Sequence, residues 1–85
     1  MRSQVERAIF GRAESISREE FLARTRFDDD EPTIDGRYVR MTFDGMSCRI
    51  ILRHDGLYTP GKGDPIFQSR DECAFRAARL NGLFE

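Results

Sequence analysis

Arg37-Tyr38-Val39-Arg40-Met41-Thr42-Phe43-Asp44-Gly45-Met46-Ser47-Cys48-Arg49-Ile50-Ile51-Leu52-Arg53 is the stretch that decides the fold. On both sides of Asp44-Gly45, apolar and polar residues alternate, which is the period of a strand with one buried face. Asp-Gly between two such runs is a strong hairpin signal, because a type I′ turn needs positive φ at both central positions. A turn of that length sets the register: Phe43 opposes Met46, Met41 opposes Cys48, and Val39 opposes Ile50. With Leu52, these side chains form one apolar face. Tyr38, Arg40, Thr42, Ser47, Arg49, Ile51 and Arg53 collect on the other.

Downstream, His54-Asp55-Gly56 makes a turn and Leu57-Tyr58-Thr59 a short third strand, closed by Pro60. Gly61-Lys62-Gly63-Asp64-Pro65 reads as a loop, and Ile66-Phe67-Gln68 as a brief edge strand. Ser69-Arg70-Asp71-Glu72 is a capping box that opens a helix to Asn81. Its core stripe is Cys73, Ala74, Ala77 and Leu80, with Phe75 flanking. Gly82 stands where a C-cap glycine belongs, so that Leu83 and Phe84 fold back onto the helix end.

Upstream, Asp28-Asp29-Asp30-Glu31-Pro32 carries adjacent carboxylates that repel one another, and Pro32 disfavours helix at Glu31. A solvated loop is expected over 27–36. Before it, Ser17-Arg18-Glu19-Glu20 is another capping box, with Ile16 and Phe21 placed as its hydrophobic staple. That helix is expected to run to Arg26 with Phe21 and Leu22 inward. Val5, Ala8, Ile9 and Ala13 have helical spacing, weakened at Gly11, so the N-terminal segment reads as two helices or one broken near Ser15. The fold class is α+β: a small two-layer domain. A three- or four-stranded antiparallel sheet carries an N-terminal helix or helices and a C-terminal helix packed on one face. One domain spans 1–85, divided into a helical segment (1–26), an acidic loop (27–36), the sheet (37–68) and the C-terminal helix and tail (69–85).

The chain has 85 residues, 39% hydrophobic and 34% charged, a globular composition with a heavily ionised surface. There is no apolar run long enough for a membrane span and no apolar stretch behind the N-terminus to make a secretory signal. A cytoplasmic location follows as the expectation, with Cys48 and Cys73 reduced and in the core. The net charge of −1 is unevenly spread: +2 over 1–26, −5 over 27–36, +3 over 37–63 and −1 over 64–85. Lys62 is the one lysine among 14 basic residues; the rest are arginines, suited to bidentate contacts with carboxylate or phosphate.

No cluster reads as a reaction centre. Cys48, His54 and Asp55 are the residue types of an activated thiol, but the register aims Cys48 into the core, whereas a nucleophile needs exposure and a lowered pKa. No catalytic residue, metal or cofactor is therefore expected. The cysteines and His54 lack paired ligand spacing, and the acidic run lacks the alternation of a calcium loop. Gly61-Lys62-Gly63 falls short of a phosphate-binding loop.

The most specific feature is the arginine face. The register sets Arg40 opposite Arg49, and like charges opposed across strands are destabilising. A counter-charge must come from the chain's own acids, an acidic partner, or nucleic-acid phosphates with Tyr38 stacking on a base. The expected function is a non-enzymatic protein–protein interaction domain that binds a larger protein or complex. Tyr38, Arg40, Arg49, Ile51 and Arg53 would form the partner-binding surface, and Asp28, Asp29, Asp30 and Glu31 a second, acidic one. An accessory protein of a phage or mobile element that inhibits or regulates a host complex has this form. Nucleic-acid binding through the Arg/Tyr face is the alternative. An exposed edge at 57–59 or 66–68 leaves a homodimer open.

Overall fold

A computed structural model describes residues 16–84, so the helical segment expected over 3–12 lies outside the described residues. The elements are α1 (Arg18–Ala23), β1 (Thr25–Thr33), β2 (Gly36–Phe43), β3 (Met46–Arg53), β4 (Tyr58–Thr59) and α2 (Arg70–Leu80). The strands form a four-stranded antiparallel meander in the order β1-β2-β3-β4. Both helices pack against one face, which gives the expected two layers.

The hairpin has the expected register throughout, including Arg40 opposite Arg49. Its turn has φ of 50° at Asp44 and 81° at Gly45, positive at both central positions. Both caps form as well. The Ser17 hydroxyl accepts from the Glu20 amide at 3.1 Å, and the Ser69 hydroxyl from the Glu72 amide at 3.2 Å. Beyond α2, Gly82 takes φ of 70°; its N–H donates to the Arg79 carbonyl at 3.2 Å and that of Leu83 to the Ala78 carbonyl at 2.9 Å. These two bonds turn Leu83 and Phe84 back into the core.

The acidic run is not a loop. Thr25–Thr33 is an edge strand, and α1 stops at Ala23 rather than at Arg26. The helix ends where the Thr25 hydroxyl donates to the Phe21 carbonyl at 2.6 Å and the chain enters the ladder. Pairing with β2 sets Thr25 opposite Phe43, Phe27 opposite Met41 and Asp28 opposite Arg40. In a strand, neighbouring side chains point to opposite faces, so the pleat separates Asp29 from Asp28 and Asp30 on either side of it. Charges and a proline on an edge strand also discourage pairing with another chain.

The core joins Phe21, Val39, Met41, Phe43 and Ile50 to Cys73, Ala74, Ala77, Ala78, Leu83 and Phe84. Phe21 is its centre, with ring centroids 5.3 Å from Phe43 and 5.5 Å from both Phe75 and Phe84. Leu80, expected in the helix stripe, is exposed, and Ala78 is buried in its stead. Three alanines let α2 lie close to the sheet, and the returning Leu83 and Phe84 fill the space at the helix end. Met46, expected on the buried face, is exposed at the hairpin tip, while Cys48 is half-buried.

Candidate functional site

The uncovered face of the sheet carries the arginines, and a bulge in β1 decides their surroundings. Asp29 pairs with Val39 and Pro32 with Arg37, so β1 uses one residue more than β2 over this step. Two residues, Asp30 and Glu31, therefore oppose Tyr38 alone. A bulge of this kind turns both side chains toward the face of the residue they oppose. The Asp30 carboxylate reaches 3.8 Å from both Arg40 and Arg49, and Glu31 lies 3.3 Å from Arg49. Arg49 also stacks on the Tyr38 ring, its guanidinium carbon 3.7 Å from the centroid. The like-charge opposition of Arg40 and Arg49 is thus answered within the chain, by the run that precedes the hairpin.

Further along the face, Arg26 pairs with Asp28 at 3.1 Å and Arg53 with Asp55 at 2.7 Å. Every arginine named above on this face has a carboxylate partner. Of the four acidic residues expected to form a second surface, Asp28, Asp30 and Glu31 belong to this one; Asp29 pairs opposite Val39, on the core side of the exposed edge.

Ile51, expected among the exposed residues of the face, is 5% exposed. The cause is the segment after β4. Register places Thr59 opposite Ile51, on the same face. The Thr59 hydroxyl donates to the Gly61 carbonyl at 2.8 Å and accepts from the Gly61 amide at 3.3 Å. A turn closed by Asp64 N–H donating to Gly61 at 3.0 Å folds the chain over this end of the sheet. The segments expected as exposed edges pair with each other: Tyr58 and Phe67 exchange main-chain hydrogen bonds of 2.8 and 2.7 Å.

Between this loop and the β1–β2 turn lies an open cleft of about 590 Å³. Ile51 lines it, with Ile34 and Ile66 as its other apolar walls; Arg53, His54 and Lys62 are among its polar groups. Ile34 is 89% and Ile66 51% exposed. His54 anchors the Ile34 side: its amide donates to the Asp35 carbonyl at 3.2 Å, and Nε2 lies 3.2 Å from the Ile34 carbonyl. The sequence signal for this cleft was slight, an aliphatic residue (Ile34) between Thr33 and the Asp35-Gly36 turn.

The expected partner-binding residues therefore divide into two groups. Ile51 and Arg53 belong to the cleft, with Tyr38 opposite Ile51 across the strands, whereas Arg40 and Arg49 belong to the ion-pair network. Neither cysteine is on this face. Burial pushes the Cys48 thiol up to about 11; burial first, with smaller contributions from Asp64 and Cys48, pushes Cys73 up to about 12. That is the opposite direction from an activated nucleophile. Among the described residues no three His, Cys, Asp or Glu side chains gather as metal ligands, and no helix is long and apolar enough to cross a membrane.

Comparison with known proteins finds no matching family model, no matching curated protein and no matching solved structure.

Proposed function

We propose that the chain is a non-enzymatic interaction domain that binds a larger protein or complex through the open face of its sheet, with the cleft beside Ile51 as the focus of contact. The observation that carries this is Ile34, 89% exposed at the rim of the cleft, with its carbonyl 3.2 Å from His54 Nε2. An aliphatic side chain in that position adds little to the chain's own core. With Ile66 it gives a concave site two exposed apolar walls among polar and charged groups that can fix the orientation of a partner. The internally paired arginines suit a face that is pre-organised before contact, which limits the ordering cost of binding. The protonated thiols agree with a role without covalent chemistry. A small domain of this kind fits an accessory protein of a phage or mobile element that inhibits or regulates a host complex, acting in the cytoplasm where its cysteines stay reduced.

The test is affinity capture from nuclease-treated lysate of the encoding organism, with wild type beside Ile34→Asp and Arg40→Glu/Arg49→Glu. Recovery of a stoichiometric protein partner by wild type and its loss with Ile34→Asp is the expected result. Recovery instead of nucleic acid from untreated lysate, lost steeply with salt and in the arginine variant, would replace this function with nucleic-acid binding.

A further inference from the structure

Resting on that proposed function, we infer that the cleft takes an extended segment of the partner in which an apolar side chain is flanked by lysine or arginine. The sign of the charge that remains after internal pairing carries this. The residues lining the cleft include three carboxylates, Asp35, Asp55 and Asp64, against two side chains of fixed positive charge, Arg53 and Lys62. The closest ion pair among them joins Arg53 to Asp55 at 2.7 Å, which removes one charge of each sign. Asp35 and Asp64 make no ion pair among the described residues; Lys62 alone stands against them.

The same holds along the face. Arg26, Arg40 and Arg49 are met by Asp28, Asp30 and Glu31. The residual charge at the apolar site is therefore negative, although the face is built on arginines. An acidic partner would place its carboxylates against Asp35 and Asp64 and find the arginines already occupied. A basic one would find the carboxylates of Asp35, beside Ile34, and Asp64, near Ile66, in excess over Lys62. An excess of carboxylate beside the exposed Ile34 and Ile66 favours an apolar residue with cationic neighbours over one with anionic neighbours. Lys62, between Gly61 and Gly63, offsets one of these two carboxylates and leaves the other.

The experiment is an NMR titration of the isotope-labelled full chain with two short blocked peptides. Each has a central leucine, flanked by arginines in one and by glutamates in the other. The arginine peptide is expected to shift the amides of Ile34, Ile51, His54, Thr59 and Ile66 and to bind more tightly than the glutamate peptide. Asp35→Asn/Asp64→Asn, which keeps side-chain shape and leaves the core untouched, should weaken the arginine peptide by roughly fivefold, the scale of two rim ion pairs. Equal binding of both peptides at those amides, or no weakening in the variant, overturns the basic-segment inference while leaving the cleft as an interaction site. Failure of both peptides to move these amides overturns the inference and removes the cleft from the proposed function as well.

Discussion

Replacing Asp30 and Glu31 with their amides, in Asp30→Asn/Glu31→Gln, tests whether the acidic run is the counter-charge of the hairpin. The substitution keeps side-chain size and the bulge but leaves Arg40 facing Arg49 with nothing between them. Three contacts are lost, two at 3.8 Å from Asp30 and one at 3.3 Å from Glu31. The first two lie at the outer limit of an ion pair, and Glu31 is 68% exposed, so each belongs to the low end of the surface range. Together with the uncovered repulsion across the strands, the loss comes to about 1 kcal/mol. For a domain of this size that lowers the melting temperature by roughly 4–8 °C. Circular dichroism melts of wild type and variant, at low salt and in 1 M salt, measure it. The gap should shrink at high salt, where the Debye length falls to about 3 Å. A double-mutant cycle with Arg49→Gln should recover part of the loss. Equal melting temperatures at low salt, or a gap that salt leaves unchanged, would refute the assignment of these carboxylates to the arginines.

Gly36→Ala should cost at least about 3 kcal/mol in urea denaturation, because a Cβ there would lie 2.0 Å from the Leu52 carbonyl oxygen at φ of +152°. Gly45→Ala, with φ of +81° and open space around it, should cost only about 1–2 kcal/mol; equal costs would contradict the β2–β3 approach at Gly36. Phe21→Ala removes the shared partner of three aromatic rings and should cost about 3–5 kcal/mol, enough to abolish a cooperative melt in a marginal domain. Alkylation of native Cys48 and Cys73 should be slow at neutral pH and quicken on unfolding. The stability contributed by the neutral thiols is present below their ordinary pKa of about 9 and is lost as pH rises through about 11 for Cys48 and about 12 for Cys73. Rapid labelling of the folded chain at pH 7 would sink both statements.

Local chemistry by itself determined the centre of this fold. The hairpin register follows from Asp44-Gly45, the helix starts from Ser17 and Ser69, and the return of Leu83 and Phe84 from Gly82, because each depends on residues a few positions apart. The opposition of Arg40 and Arg49, and the need for a counter-charge, could be read from the same turn. What met that need could not. Repulsion within Asp28–Glu31 and the presence of Pro32 are local signals for a loop, and they are outweighed by ladder bonds and ion pairs to β2 and β3, which no local window contains. The bulge that brings Asp30 and Glu31 onto one face exists only once β1 is paired. Nor does alternation alone tell that Ile51 is covered, since the cover is a loop that reaches it by crossing from β4. The replacement of Leu80 by Ala78 in the core depends on how closely α2 approaches the sheet. The sequence thus determined the register of charges and caps, and tertiary pairing decided which charges were left over at the cleft, because cancellation of charge depends on distances in space.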